Sequence, residues 1–79
     1  MNQSQFQKLI KNLVVKNKQI NKIVFTKVKF LCDPIRLILN ETRVPEGITF
    51  DLRENDLPSG EIKPQILELL SLRGIRLLL

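Results

Sequence analysis

The side chains that most often perform catalysis or bind metals are scarce in this sequence. Its 79 residues include no histidine and one cysteine, Cys32. Zinc and most transition-metal sites need clustered histidine, cysteine or carboxylate ligands, and a nucleophilic cysteine usually has a histidine partner. Cys32 is therefore expected to be a small core residue. Because one cysteine forms no internal disulfide, we expect an intracellular, reducing compartment.

The carboxylates offer no better candidate for a catalytic or metal site. Asp51, Glu54 and Asp56 lie close together in the sequence, but they lack the ligand spacing of a calcium loop, so we expect a solvated turn. The sequence has no phosphate-binding loop, dinucleotide fingerprint or nucleophile elbow. A domain of this size also has little room for a substrate pocket. We therefore expect no enzyme activity, cofactor, metal or small-molecule substrate.

The strongest chemical signal is the uneven distribution of charge. Residues 1–31 carry seven lysines and no acid (+7), whereas residues 32–79 carry eight acids and six basic residues (−2), which gives the net charge of +5. Such asymmetry predicts an anionic partner for the N-terminal half; the alternative is a lysine face that only keeps the protein in solution. The candidate anion- or nucleic-acid-binding residues are Lys8, Lys11, Lys16, Lys18, Lys22, Lys27 and Lys29.

The elements that position these lysines begin with an amphipathic helix. From Ser4 to Asn17, apolar residues recur at the helical period, and Ser4 with Gln7 has the spacing of a capping box. The stripe predicted to be buried comprises Phe6, Leu9, Ile10, Leu13 and Val14. We expect this stripe to cover a sheet rather than to bind a membrane surface, and no apolar run is long enough to span a bilayer. Residues 22–32 predict a strand rich in β-branched and aromatic side chains.

The middle of the chain is ambiguous. Residues 35–39 fit an apolar strand, which we favour slightly, or a short helix with Asp33 as N-cap and Pro34 at its first position. A turn containing Gly47 follows, and residues 48–53 alternate between apolar and polar side chains as a half-buried strand does.

The last third predicts a loop, a helix and a strand. Residues 53–63 are polar, Pro64 opens a helix that runs to about Arg73, and Gly74 fits the residue that ends it. Residues 75–79 predict a short apolar strand. We therefore expect one α+β domain over residues 1–79, with a basic helix and strand over 4–32 and an acidic to neutral part over 33–79. The order α-β-(β)-β-α-β predicts a three- to four-stranded, mainly antiparallel sheet with two helices, and no internal repeat is seen.

Residues 24–77 resemble the small β-rich domain of replication-complex subunits of the GINS family. The resemblance lies in Val28-Lys29-Phe30-Leu31, in Phe50-Asp51-Leu52, and in the segment from Ile66 to Arg73 followed by a strand. It implies a component of a multi-subunit assembly. The large helical domain of that family has no counterpart in these 79 residues.

These observations favour a non-catalytic accessory or interaction subunit of a larger assembly, with its lysine-rich half facing an anionic partner such as nucleic acid. The alternatives are a free-standing nucleic-acid-binding protein and a small regulator or inhibitor of one protein. Three consecutive leucines make both faces of the last strand apolar, which predicts self-association or a protein partner. The candidate partner interface is Leu77, Leu78 and Leu79.

Overall fold

A computed structural model describes residues 1–17, 19–58 and 63–79. Lys18 and part of the predicted polar loop, residues 59–62, lie outside the described residues. The elements in chain order are α1 (Gln3–Ile10), a π-helical turn (Lys11–Val15), β1 (Lys22–Lys29), α2 (Pro34–Asn40), β2 (Thr49–Asp56), α3 (Pro64–Leu72) and β3 (Arg76–Leu78).

The sheet has the strand order β1-β2-β3, and both neighbouring pairs are parallel. The prediction of a mainly antiparallel sheet with two helices is therefore wrong. The physical reason is that the favoured strand over residues 35–39 is the helix α2. Asp33 caps this helix by accepting a hydrogen bond from the Arg36 N–H (3.2 Å), and Pro34 opens it. A helix between two strands carries the chain back across the sheet, so that the next strand runs parallel.

The helices lie in one layer on one side of the sheet. α1 packs against α2, and α2 packs against α3. Beneath them, Phe25, Phe50 and Leu52 are buried. Phe6 of α1 contacts Phe25 and Phe30, with ring centroids 5.9 Å apart in both pairs. The remaining buried apolar residues are Ile10, Val14, Ile35, Ile38, Val44, Ile48, Leu70 and Ile75.

The three strands recur at a fixed interval of the chain. Ile23 pairs with Phe50, and Phe50 pairs with Leu77, so each strand follows the previous one by 27 residues (50 − 23 and 77 − 50). Gly47 and Gly74 stand at the same interval, both have a positive φ (90° and 72°), and the Gly47 N–H donates to the Gly74 carbonyl at 2.7 Å. The expectation of no internal repeat is therefore wrong. The repeat is hard to see in the sequence because α2 and α3 begin at different distances from the preceding strand.

β1 is not a regular strand. Its register against β2 shifts on both sides of Thr26, and Lys27 has a positive φ of 55°. Strict alternation would place Phe25 and Phe30 on opposite faces, yet both are buried in the core. The irregularity is therefore what brings the two rings to the same side of the sheet.

The side chain of Asn55 in β2 binds the irregular part of β1. Its Nδ2 donates to the Phe25 carbonyl (2.7 Å), and its Oδ1 accepts from the Val28 N–H (2.9 Å). These two backbone groups flank the residue with positive φ, where the register of the β1–β2 pair is broken. The side-chain amide of Asn55 thus forms hydrogen bonds with a backbone N–H and a backbone carbonyl that have no partner where the strand pairing is broken.

The first helical segment differs from the prediction at both ends. Asn2 and Gln5 form the capping box in place of the predicted pair. Near the other end, the Lys16 N–H donates to the Lys11 carbonyl (3.2 Å), which is the i→i+5 bond of a π turn. The wider turn changes which residues face the core, and Leu13 is 42% exposed. The buried residues of this segment are Phe6, Ile10 and Val14.

Phe6→Ala is expected to lower the free energy of unfolding by about 3–5 kcal/mol, because a fully buried ring that contacts two others is removed. Leu13→Ala, on the same segment, is expected to lower it by about 1 kcal/mol or less, because its side chain is partly solvated. Urea unfolding followed by circular dichroism measures both. Equal losses would contradict the packing of α1 described above.

Asn55→Ala is expected to destabilise the fold by about 1–3 kcal/mol for each backbone group that loses its partner. Asn55→Asp retains an acceptor for the Val28 N–H but loses the donor to the Phe25 carbonyl, so it is expected to destabilise as well. Asn40→Ala at the exposed end of α2 is the matched control. An Asn55→Ala protein as stable as this control would show that the amide is not needed.

Candidate functional site

The side of the sheet opposite the helices is covered by no described part of the chain. We call this surface, formed by the outward side chains of the three strands, the open face. Its residues lie in rows across the sheet. One row of Cα partners is Lys22, Thr49 and Arg76, and the next is Val24, Asp51 and Leu78. Val24 is 57% exposed. Parallel sheets are almost always covered on both faces, so an uncovered face is a candidate interaction surface.

An ion pair lies at the centre of the open face. Nε and Nη2 of Arg53 donate to the two carboxylate oxygens of Asp51 at 3.0 and 2.8 Å, and the Arg53 backbone N–H donates to Oδ1 at 3.1 Å. Asp51 is only 6% exposed, whereas the guanidinium of Arg53 extends into solvent. Both carboxylate oxygens are thus occupied by Arg53, so this pair presents a positive surface and offers no free general base.

The hydrogen bonds from Arg53 also affect the pKa of Asp51. The side-chain hydrogen bonds from Arg53, with smaller effects from its backbone N–H and from the charge of Lys22, lower the pKa of Asp51 to about 2. The effect of Lys22 agrees with its place in the neighbouring row of the open face. The central strand therefore carries a charge pair that persists at any physiological pH.

The structure divides six of the seven predicted lysines between two surfaces. Two lie on the first helical segment in the helix layer, and another follows it: Lys8, Lys11 and Lys16. Three others lie on β1, where they alternate with core residues and are exposed on the open face: Lys22, Lys27 and Lys29. Lys18 is outside the described residues. Among the described residues the sequence-based patch is therefore two patches, and Lys22 of β1 is the lysine whose charge acts on Asp51.

The acids of β2 lie beside the lysine-bearing strand. Glu54 pairs in register with Thr26, and Asp56 pairs with Lys29. The expected solvated turn over Asp51, Glu54 and Asp56 is wrong, because β2 extends to Asp56. Within residues 1–17, 19–58 and 63–79, no three histidine, cysteine or acidic side chains are grouped so that they could hold a metal ion.

The three C-terminal leucines point in different directions. β3 is an edge strand, and Leu77 turns toward the core beside Phe50, with which it is in register. Leu78 faces the other way, beside Asp51 on the open face. Leu79 is 49% exposed. The predicted interface residues therefore belong to two surfaces, the open face and the edge of β3.

Cys32 is half-buried and forms no disulfide. Burial raises the pKa of its thiol, with smaller opposing effects from the N-terminal amino group and Asp33. A raised pKa lowers the thiolate fraction, which agrees with the expectation of a packing residue.

The sequence reasoning did not identify Val24, Arg53, Arg76 and Leu78 as neighbours. For Val24, Arg76 and Leu78, the signal that would have found them is the 27-residue interval, because it places residues of three separate segments in the same rows. Among the described helices, none is both long and apolar enough to cross a membrane.

No model of a known protein family, no curated protein and no solved structure matches this chain. The resemblance to the GINS β-rich domain gains no support from these comparisons. Functional inference therefore depends on the geometry of the open face.

The pKa of Asp51 predicts how stability depends on pH. The carboxyl has a pKa of about 2 in the folded chain and an ordinary value of 3.8, so the unfolded chain binds the proton first as the pH falls. The stabilisation from the Asp51–Arg53 pair is therefore present above about pH 4 and is lost as the pH falls to about 2. Asp51→Asn is expected to remove this contribution, so that its stability difference from the wild type shrinks across that window.

Arg53→Gln provides the matched variant, because it removes the hydrogen bonds that lower the pKa. It is expected to flatten the same part of the pH profile, and the double variant is expected to add nothing further. Urea unfolding between pH 2 and pH 6 measures the profiles. A stability difference for Asp51→Asn that stays constant across the window would contradict the assignment.

Proposed function

We propose that this chain is a non-catalytic interaction subunit that binds an acidic segment of a partner protein across the open face of its sheet. The observation that carries the proposal is the all-parallel sheet with every helix on one side. A parallel sheet buries both faces in almost all proteins, and an uncovered face with apolar side chains among charged ones is typical of a binding surface.

The repeat supports this interpretation. A strand and a helix recurring every 27 residues resemble the leucine-rich type of solenoid, whose units have about 20–29 residues and the pattern L-x-x-L-x-L-x-x-N-x-L. In β2 and the residue after it, Phe50, Leu52, Asn55 and Leu57 follow the second part of that pattern. Stacked repeats form extended concave surfaces that bind other molecules. The equivalent surface in this chain is the open face.

The side chains of the open face favour an acidic partner with apolar residues. Val24 and Leu78 stand at its two sides and supply apolar contact area, with the Arg53 guanidinium exposed between them. A depression of about 360 Å³ is lined by Val24, Phe25, Asp51, Arg53 and Glu54. The other basic residues of the open face are Lys22, Lys27, Lys29 and Arg76. Arg presents a planar fork that suits carboxylates, so acidic side chains of a partner fit this surface.

The same surface suits nucleic acid less well. Single-stranded nucleic acid is bound by stacking bases on exposed aromatic rings, whereas all four phenylalanines of this chain are buried. Glu54 and Asp56 also stand beside the lysines of β1; a phosphate backbone is charged along its whole length and must meet them, whereas a protein segment can place its acidic residues opposite the lysines alone.

Charge reversal of the open face tests the proposal. The full chain is used to capture partners from cells that express it, and Lys27→Glu with Lys29→Glu is compared with Lys8→Glu with Lys11→Glu, which has the same change in net charge. Binding of the captured protein is expected to weaken at least about tenfold for the strand pair, equivalent to about 1.4 kcal/mol, and to change little for the helix pair.

Two results would contradict the proposal. Equal weakening by both pairs would show a response to net charge rather than to the open face. Tight binding of RNA or DNA by the wild type with a steep dependence on salt, and no protein partner lost by the strand pair, would favour a nucleic-acid-binding protein.

A further inference from the structure

The two edges of the sheet differ in how the chain covers them. At the end of β1, the Met1 amino group donates to the Lys29 carbonyl (2.6 Å), and the Met1 carbonyl accepts from the Leu31 N–H (2.7 Å). α1 then packs Phe6 onto the core beside this strand. At the other edge, β3 pairs only with β2 among the described residues. Met1 thus covers the end of β1 at Lys29 and Leu31, whereas the edge of β3 has no partner among the described residues.

An apolar groove runs along the open edge, between β3 and α3. Its volume is about 510 Å³. The apolar side chains that line it are Leu67, Leu70, Ile75, Leu77 and Leu79, with Ser71 of α3 at its border. β1 and β2 each have one edge that is paired with the next strand along the chain. The edge of β3 at this groove is the equivalent edge in the third unit of the 27-residue interval. In those two cases a strand with alternating apolar residues covers the edge, so a strand is the occupant that the groove fits.

We propose that a second copy of this chain covers the groove, by pairing of β3 with β3 about a two-fold axis. In a head-to-tail arrangement, β1 of a second copy would continue the 27-residue interval beside β3, which places its Lys22 in register with Arg76, so that two like charges face each other. Pairing of β3 with β3 avoids this contact between like charges, and the interface is then formed by the same surface of both copies.

The backbone of β3 is suited to this pairing. The Arg76 N–H donates to the Ile48 carbonyl across β2 (2.9 Å), and strand amides alternate in direction, so the N–H and carbonyl of Leu77 point to the open edge. When two copies of β3 pair antiparallel around Leu77, the Leu77 N–H of each copy donates to the Leu77 carbonyl of the other. In this register Arg76 of one copy stands opposite Leu78 of the other, and like charges do not face each other. The dimer leaves the open face of each copy accessible.

Sedimentation equilibrium of the full chain, from low to high micromolar concentration, tests the dimer. Ser71→Arg places a long charged side chain at the groove border, and Leu79→Asp places a charge on its apolar lining. Each is expected to weaken dimerisation at least about tenfold. Leu72→Asp is the matched control, because Leu72 follows Ser71 on α3, is 77% exposed and does not line the groove. Circular dichroism confirms that each variant is folded.

Amide hydrogen exchange tests the pairing itself. Protection of the Leu77 amide is expected to increase with protein concentration, while that of the Arg76 amide, which is bound within the sheet, stays constant. A wild type that is monomeric throughout, a dimer weakened equally by Leu72→Asp, open-ended oligomers, or a dimer without protection at Leu77 would each overturn the proposal. None of these results bears on partner binding at the open face, which depends on β1 and is tested with separate variants.

Discussion

Two hydrogen bonds, one donated and one accepted by the Asn55 amide, hold the irregular part of β1 in place. An unpaired backbone group in a protected position destabilises a fold by about 1–3 kcal/mol, so the broken register between β1 and β2 is tolerated only if its free groups find partners. A carboxylate accepts hydrogen bonds but does not donate them, and an aliphatic side chain neither donates nor accepts. A side-chain amide both donates and accepts hydrogen bonds. With these bonds in place, β1 turns Phe25 and Phe30 to the same side, and the ring of Phe6 packs against both.

The arrangement of the aromatic rings determines where the helices lie. Because the inward residues of all three strands face one layer, α1, α2 and α3 cover that side and pack against each other. The side chains that alternate with the core residues of the strands lie on the opposite side of the sheet. They include charged, polar and apolar side chains. Arg53 shields the Asp51 carboxylate there, so the central strand tolerates a nearly buried acid without a partner from another strand.

Several elements could be predicted from the sequence because one local interaction decides each of them. Pro64 and Gly74 bound α3, and the alternation after Ile48 gives β2. The strand predicted over residues 35–39 is wrong, because a short apolar run fits a strand and a buried helix equally well. The cap at Asp33 favours the helix, and this helix returns the chain so that β2 runs parallel to β1. The positive φ of Lys27 and the π turn after Ile10 arise from tertiary packing, which no local pattern reports.

Asymmetry of charge along the chain is not the same as asymmetry in space. The lysines of the N-terminal half follow one another in sequence, yet the sheet separates them: those of the first helical segment lie in the helix layer, and those of β1 lie on the opposite face. A single flat anionic partner cannot contact both groups. The acids of β2 then adjoin the lysines of β1, so the open face is of mixed charge rather than uniformly basic. A surface of this kind discriminates between partners by the pattern of their charges, which suits a protein segment better than a uniform polyanion.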